Sequence, residues 1–64
     1  MTVYIIRCES YWDDGEHIGG KNEGVYATKE LAEQTVKDLP IWEDKDGWLW
    51  RNEYTITEHE LIGA

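Results

Sequence analysis

Gly24-Val25-Tyr26-Ala27-Thr28-Lys29-Glu30-Leu31-Ala32-Glu33 is the stretch on which the fold turns. It reads as the end of a strand entering a helix, with Thr28 as the N-cap. The Thr28 hydroxyl can accept from the free amides of the first helical turn, and Glu30 puts negative charge near the positive end of the helix dipole. A capping box would carry Glu or Gln at position 31, where this chain has Leu31. Leu31, Ala32, Thr35, Val36 and Leu39 recur at helical spacing and make one narrow apolar stripe. Lys29, Glu30, Glu33, Lys37 and Asp38 fall mostly on the other side. Pro40 has no amide hydrogen and pushes Leu39 out of helical geometry, so the helix stops there. The chain offers no second helix, so its sheet must cover this one stripe.

Working outward, Thr2 to Trp12 reads as the first strand. Tyr4, Ile6, Cys8 and Trp12 share one parity, and Val3, Ile5, Arg7 and Glu9 the other. The even set is placed against the helix, which leaves Val3 and Ile5 partly exposed or covered by a second subunit. Asp13-Asp14-Gly15-Glu16 is a turn and Gly19-Gly20-Lys21-Asn22 a second loop, with His17 and Ile18 extending the hairpin between them. Glu23 to Ala27 returns antiparallel to the first strand. After the helix, Ile41-Trp42-Glu43 and Trp48-Leu49-Trp50 flank another Asp-Gly turn, Asp44-Lys45-Asp46-Gly47. The last long strand runs from about Trp48 to Thr57. Its parity set Trp48, Trp50, Tyr54 and Ile56 is interrupted by Asn52, which points to a bulge there. His59 to Ala64 is a short tail, one turn of helix or a frayed end. The expected fold class is α+β: a single domain over residues 1–64, with an antiparallel sheet of about three strands and one helix on a face, in ββαβ order.

The chain has 64 residues, near the lower limit for a core that holds without staples. Cys8 is the single cysteine, so no disulfide forms within the chain, and four Trp and four Tyr supply the bulk that compensates. A lone cysteine and no secretory signal fit a reducing, cytoplasmic location. No apolar run approaches the roughly 20 residues that span a bilayer. Fourteen acidic residues against six basic ones leave a formal charge of −8. Such a surface repels nucleic acid and anionic lipid and attracts basic protein surfaces, besides aiding solubility. Direct nucleic-acid and membrane partners are therefore not expected.

Catalytic patterns are weak. Cys8 lies on the core parity of a strand, where a free cysteine behaves as a small hydrophobe, and a nucleophile would need a nearby base. His17 and His59 both lie in polar stretches. Metal sites need three or four converging ligands, and no Cys-x-x-Cys or His-x-x-x-His spacing occurs. Asp13, Asp14, Glu16 and His17 crowd one turn but lack the alternation of a calcium loop. Gly19-Gly20-Lys21 lacks the further glycines and the hydroxyl of a phosphate loop. The chain is thus read as no enzyme, with no cofactor and no metal.

What remains is a surface. Acidic residues gather at Asp13, Asp14 and Glu16, at Glu43, Asp44 and Asp46, and at Glu53, Glu58 and Glu60. Trp12 stands beside the first group, and Trp42, Trp48 and Trp50 surround the second. Tryptophan is enriched among interface anchors, and carboxylates steer a basic partner into place. About two of the four tryptophans are expected to serve the chain's own core. The expected partner-binding set is Asp13, Asp14, Glu16, Glu43, Asp44 and Asp46, with Trp12, Trp42 and Trp48 as anchors. Same-face carboxylates on a strand recur every roughly 6.6 Å, whereas B-DNA carries one charge per about 1.7 Å of axis. Mimicry of duplex DNA by so small a domain is therefore short and coarse.

Val3-Tyr4-Ile5-Ile6, the acidic hairpin, the Gly24-to-Glu33 run and the closing Glu53-Tyr54-Thr55-Ile56 strand together resemble a widespread set of short, uncharacterised phage and bacterial proteins. That resemblance spans most of residues 2 to 57, implies a strand-strand-helix-strand layout and carries no catalytic residues. In size and acidity the chain is also similar to phage anti-defence proteins, including anti-CRISPR inhibitors. That likeness implies a partner with a basic nucleic-acid-binding surface, such as a subunit of a CRISPR effector, bound by a monomer or weak homodimer. The alternative is a structural or regulatory interaction module that self-associates through Val3 and Ile5 or through an exposed strand edge.

Overall fold

The computed structural model describes residues 1–62; Gly63 and Ala64, the end of the expected tail, lie outside the described residues. The elements are β1 (Thr2–Trp12), β2 (His17–Tyr26), α1 (Lys29–Lys37), β3 (Trp42–Lys45) and β4 (Trp48–Glu60). All strand pairs are antiparallel, and the sheet order is β2-β1-β4-β3. The expected three-stranded ββαβ layout is thereby corrected: four strands and one short helix follow the order ββαββ, and sheet dominates. The cause is the Asp46-Gly47 turn. Asp46 has φ 54° and Gly47 φ 84°, the paired positive values of a two-residue turn whose twist matches that of its strands. Trp42–Lys45 consequently folds back on Trp48–Arg51 as a strand, not a connection.

At the helix, Thr28 is extended (φ −130°, ψ 151°) and its Oγ1 accepts from the Leu31 amide at 3.2 Å. The helix ends at Lys37, before Pro40 exerts its effect. Asp38 and Leu39 amides donate to Thr35 and Val36 carbonyls at 3.0 and 3.1 Å, a tightened last turn. Ile6, Cys8 and Ala32 are fully or almost fully buried where the helix covers the even face of β1.

Four further expectations change. Val3 is buried within the single chain, and Val25, across from Ile5 on the opposite face, is exposed, as are Leu49 and Trp42 nearer the tip. β1 and β4 stay in unbroken register from Thr2↔Glu60 to Trp12↔Trp50, so Asn52 faces Ser10 and no bulge occurs there. The irregularities fall in β2, where Glu23 and Ile18 are the extra residues. Gly19 and Gly20 belong to β2, paired with Ser10 and Glu9, and not to a loop. A Cβ on Gly20 would come 2.5 Å from Glu9 Oε2 and 2.7 Å from Arg7 Nη2, so glycine leaves room for those side chains. The tail begins as strand: Glu60 pairs with Thr2, and the Leu61 amide donates to the Met1 carbonyl at 2.7 Å.

The molecule measures 46 × 20 × 16 Å. A nine-residue helix covers only about 14 Å of that length, so both ends of the sheet extend past it. No described helix is long and apolar enough to cross a membrane.

Candidate functional site

β1 and β4 are neighbours with Trp12 opposite Trp50, so the β1–β2 and β3–β4 turns emerge from the same end of the sheet. Two acidic turns distant in sequence thus share one tip. The first is closed by Trp12 N–H to the Glu16 carbonyl at 2.8 Å, Gly15 N–H to the Trp12 carbonyl at 2.9 Å and Glu16 N–H to Asp14 Oδ1 at 2.9 Å. It is tied to the second by the Asp13 amide, which donates to the Leu49 carbonyl at 3.3 Å. The Trp12 ring lies 5.4 Å from Trp48, tilted, and 6.2 Å from Trp50, edge to face. An open hollow of about 360 Å³ is lined by Trp12, Asp13, Asp14, Glu16, Trp48 and Leu49.

Five of the nine expected partner-binding residues (Trp12, Asp13, Asp14, Glu16 and Trp48) therefore converge on the tip, with Asp46 in the adjoining turn. The other three are placed elsewhere. Glu43 is half-buried on the helix side, where its Oε2 accepts from Trp50 Nε1 at 3.0 Å and Asn52 Nδ2 at 2.7 Å. Trp42 and Asp44 have the opposite parity in β3 and sit, exposed, across from Arg51 and Leu49. Trp42 and Trp48 are more than half exposed and Trp12 and Trp50 half-buried, so no tryptophan is wholly given to the core.

Several charged groups elsewhere on the sheet have local partners. Glu53 binds Arg51 at 3.1 Å, Tyr4 donates to Glu58 at 3.1 Å, and Glu60 accepts from Thr2 Oγ1 at 2.7 Å and from the N-terminal amine at 3.2 Å. On the uncovered face Glu9 meets His17 at 2.6 Å and Arg7 at 3.0 Å. Hydrogen bonds from His17 and then Arg7 hold the Glu9 carboxyl below the usual range. Arg51 also lies over the Tyr11 ring at 5.5 Å. Among the described residues, Asp13, Asp14, Glu16 and Asp46 make no ion pair. Nor do three or more His, Cys, Asp or Glu side chains there form a group that could hold a metal.

A sequence profile for a domain of unknown function, DUF7336, matches residues 1–63. The chain belongs to the DUF7336 family. No curated protein and no solved structure matches it. The family match agrees with the resemblance to uncharacterised proteins and says nothing of phage origin.

Sequence reasoning missed the polar centre of this DUF7336 domain. Asn52 is buried; its Oδ1 accepts from Ser10 Oγ at 2.7 Å, and its Nδ2 donates to Glu43 Oε2 and, at 3.1 Å, to the Pro40 carbonyl. Tyr54 donates to the same carbonyl at 2.6 Å, and burial foremost pushes its phenol up. The signal was present: Asn52 holds the core parity of its strand, and a core-parity amide needs partners.

Proposed function

We propose that this DUF7336 domain is a binding protein, not an enzyme, whose acidic tip docks on the basic, nucleic-acid-binding surface of another protein. The observation that carries this reading is the meeting of two acidic turns, free of ion pairs, around the Trp12–Trp48 pair. Trp48 keeps nearly two thirds of its surface in solvent, as an anchor awaiting a partner would. Asp13, Asp14, Glu16 and Asp46 supply steering charge at the same end. Lysines and arginines that bind phosphates derive much of their affinity from electrostatics, so a compact group of carboxylates competes for the same side chains. In its specific form the proposal is that of a phage or mobile-element inhibitor. It acts in the host cytoplasm by occupying the DNA-binding surface of a CRISPR effector.

The test is cleavage of duplex target by purified CRISPR effector complexes, titrated with the protein at low and raised salt. The expected result is inhibition that salt and excess duplex relieve, that Trp48→Ala weakens and that the triple variant Asp13→Lys, Asp14→Lys, Asp46→Lys abolishes. Inhibition by the triple variant at wild-type strength would remove mimicry; no inhibition of any effector would remove the anti-defence role.

A second reading, a self-associating module, draws on the exposed Val25 beside Ile5 on the uncovered sheet face. Sedimentation at high concentration tests it: a Val25→Lys-sensitive dimer supports it, and a strict monomer ends it.

A further inference from the structure

We infer that the free edge of β4, from Tyr54 to Glu60, is a docking strand for an extended segment of a partner, with apolar residues at one end and basic residues at the other. β3 pairs only with Trp48–Arg51, although β4 runs to Glu60. Backbone polarity along β4 alternates. The Leu49 carbonyl and Leu61 amide bond towards the β1 side, whereas the Asn52 amide turns the other way, to the Ile41 carbonyl at 2.7 Å. The N–H and C=O groups of Tyr54, Ile56, Glu58 and Glu60 therefore point outward along an edge of roughly 20 Å. Among the described residues no backbone hydrogen bond outside the strand ladders reaches them.

Exposed edges are normally guarded. β2 is broken by two register shifts, and β3 is four residues long. The β4 edge has neither device: its register with β1 is continuous, and Glu53 to Glu60 contains no Lys and no Pro. Its side chains also specify what fits. An open hollow between the helix end and β4, with Val36, Leu39, Ile41 and Tyr54 on its walls, flanks the start of the edge. Half-buried Ile56 follows on the same parity, and Glu58 and Glu60 complete it. Both are exposed; Glu58 has no ion pair among the described residues, and Glu60 has only the exposed N-terminal amine. A strand added antiparallel, in line with β3, sets its alternate side chains beside Glu60, Glu58, Ile56 and Tyr54 in turn. Charge complementarity asks for two basic residues first, and the hollow for two apolar ones after.

The probe is the peptide Lys-Thr-Lys-Thr-Val-Thr-Val, added to the full chain and followed by backbone amide NMR. The expected result is saturable binding that shifts Tyr54, Ile56 and Glu58 amides and slows their exchange. Thr55 and Thr57, already turned to β1, change little. N-methylation of both valines, whose amides face β4, weakens binding at least about tenfold, the worth of one or two hydrogen bonds. N-methylation of the second and third threonines, which face away, does not. The variant Asp13→Lys, Asp14→Lys binds the peptide as before, which separates this edge from the acidic tip. Absence of binding, equal weakening by both methylations, shifts confined to the tip, or edge amides already protected by a second copy would each overturn the inference.

Discussion

Asn52 Nδ2 donates to Glu43 Oε2 at 2.7 Å, joining a buried residue of β4 to a half-buried carboxylate on the short edge strand β3. Trp50 Nε1 shares that oxygen at 3.0 Å, and Asn52 also holds Ser10 and the Pro40 carbonyl. One amide thus fastens β1, β3, β4 and the segment leaving the helix. Deleting it leaves Ser10 and Glu43 short of partners, and hydrogen bonds to a charged group contribute more than neutral ones. Asn52→Ala is expected to lose roughly 2–4 kcal/mol, read from urea unfolding. Glu43→Gln keeps an acceptor and is expected to lose about 1 kcal/mol or less. Equal losses for the two variants would show that Asn52 does not organise the cluster.

Ile6 is wholly shielded from solvent, and its buried companions Cys8 and Ala32 are small, so little else fills the space under the helix. Truncation to Ala leaves a cavity and is expected to cost about 2–5 kcal/mol. A domain of this size rarely has more than about 3–5 kcal/mol in reserve. Ile6→Ala is therefore expected to be largely unfolded by circular dichroism, while Ile6→Val loses about 0.5–1.5 kcal/mol and stays folded. A cooperative melt for Ile6→Ala near the wild-type temperature would locate the core elsewhere.

The helix cap and the strand parities were legible because Thr28 and the alternation from Tyr4 to Cys8 act through local geometry. The fourth strand is less legible: the sequence shows a turn over Asp44–Gly47 with an arm on either side, but four residues, two of them inside that expected turn, are a weak strand signal until they pair with Trp48–Arg51. In the sequence Asn52 only breaks an apolar pattern, because its partners, Ser10, Glu43 and Pro40, come from other segments. The tip was half legible. Each acidic turn could be named, but the adjacency of Asp13 and Trp48 follows from strand order, which no local pattern encodes.

The Asp46-Gly47 turn offers a clean separation of fold from charge. Gly47 at φ 84° sits where an L side chain is strained. Gly47→Ala is expected to cost roughly 1–2 kcal/mol, about 4–8 °C in Tm for each kcal/mol. Asn visits the left-handed region as readily as Asp, so Asp46→Asn is expected to leave Tm nearly unchanged while removing one tip carboxylate. A large loss from Asp46→Asn would mean that its charge holds the turn.

Acid is expected to weaken the fold partly through Glu9 and Glu60. Hydrogen bonds from His17 and Arg7 lower the first, and those from Thr2 and the N-terminal amine lower the second. Each carboxyl releases its proton more readily in the folded chain than in the unfolded one. The stability they add is complete above the ordinary glutamate value of roughly 4.3 and is lost as pH falls through the lower folded values. At the other end Tyr4, hydrogen-bonded to Glu58, has its phenol raised. Its contribution is complete below roughly pH 10 and is lost as pH rises through the folded value. Glu60 is exposed and Glu9 and Tyr4 are only partly shielded, so the effects are small and salt screens the ionic part. Urea midpoints measured from pH 3 to 7 at low salt are expected to fall less steeply for Glu9→Gln than for the wild type. At raised salt the two curves converge. Identical acid limbs at low salt would assign the loss to groups other than Glu9.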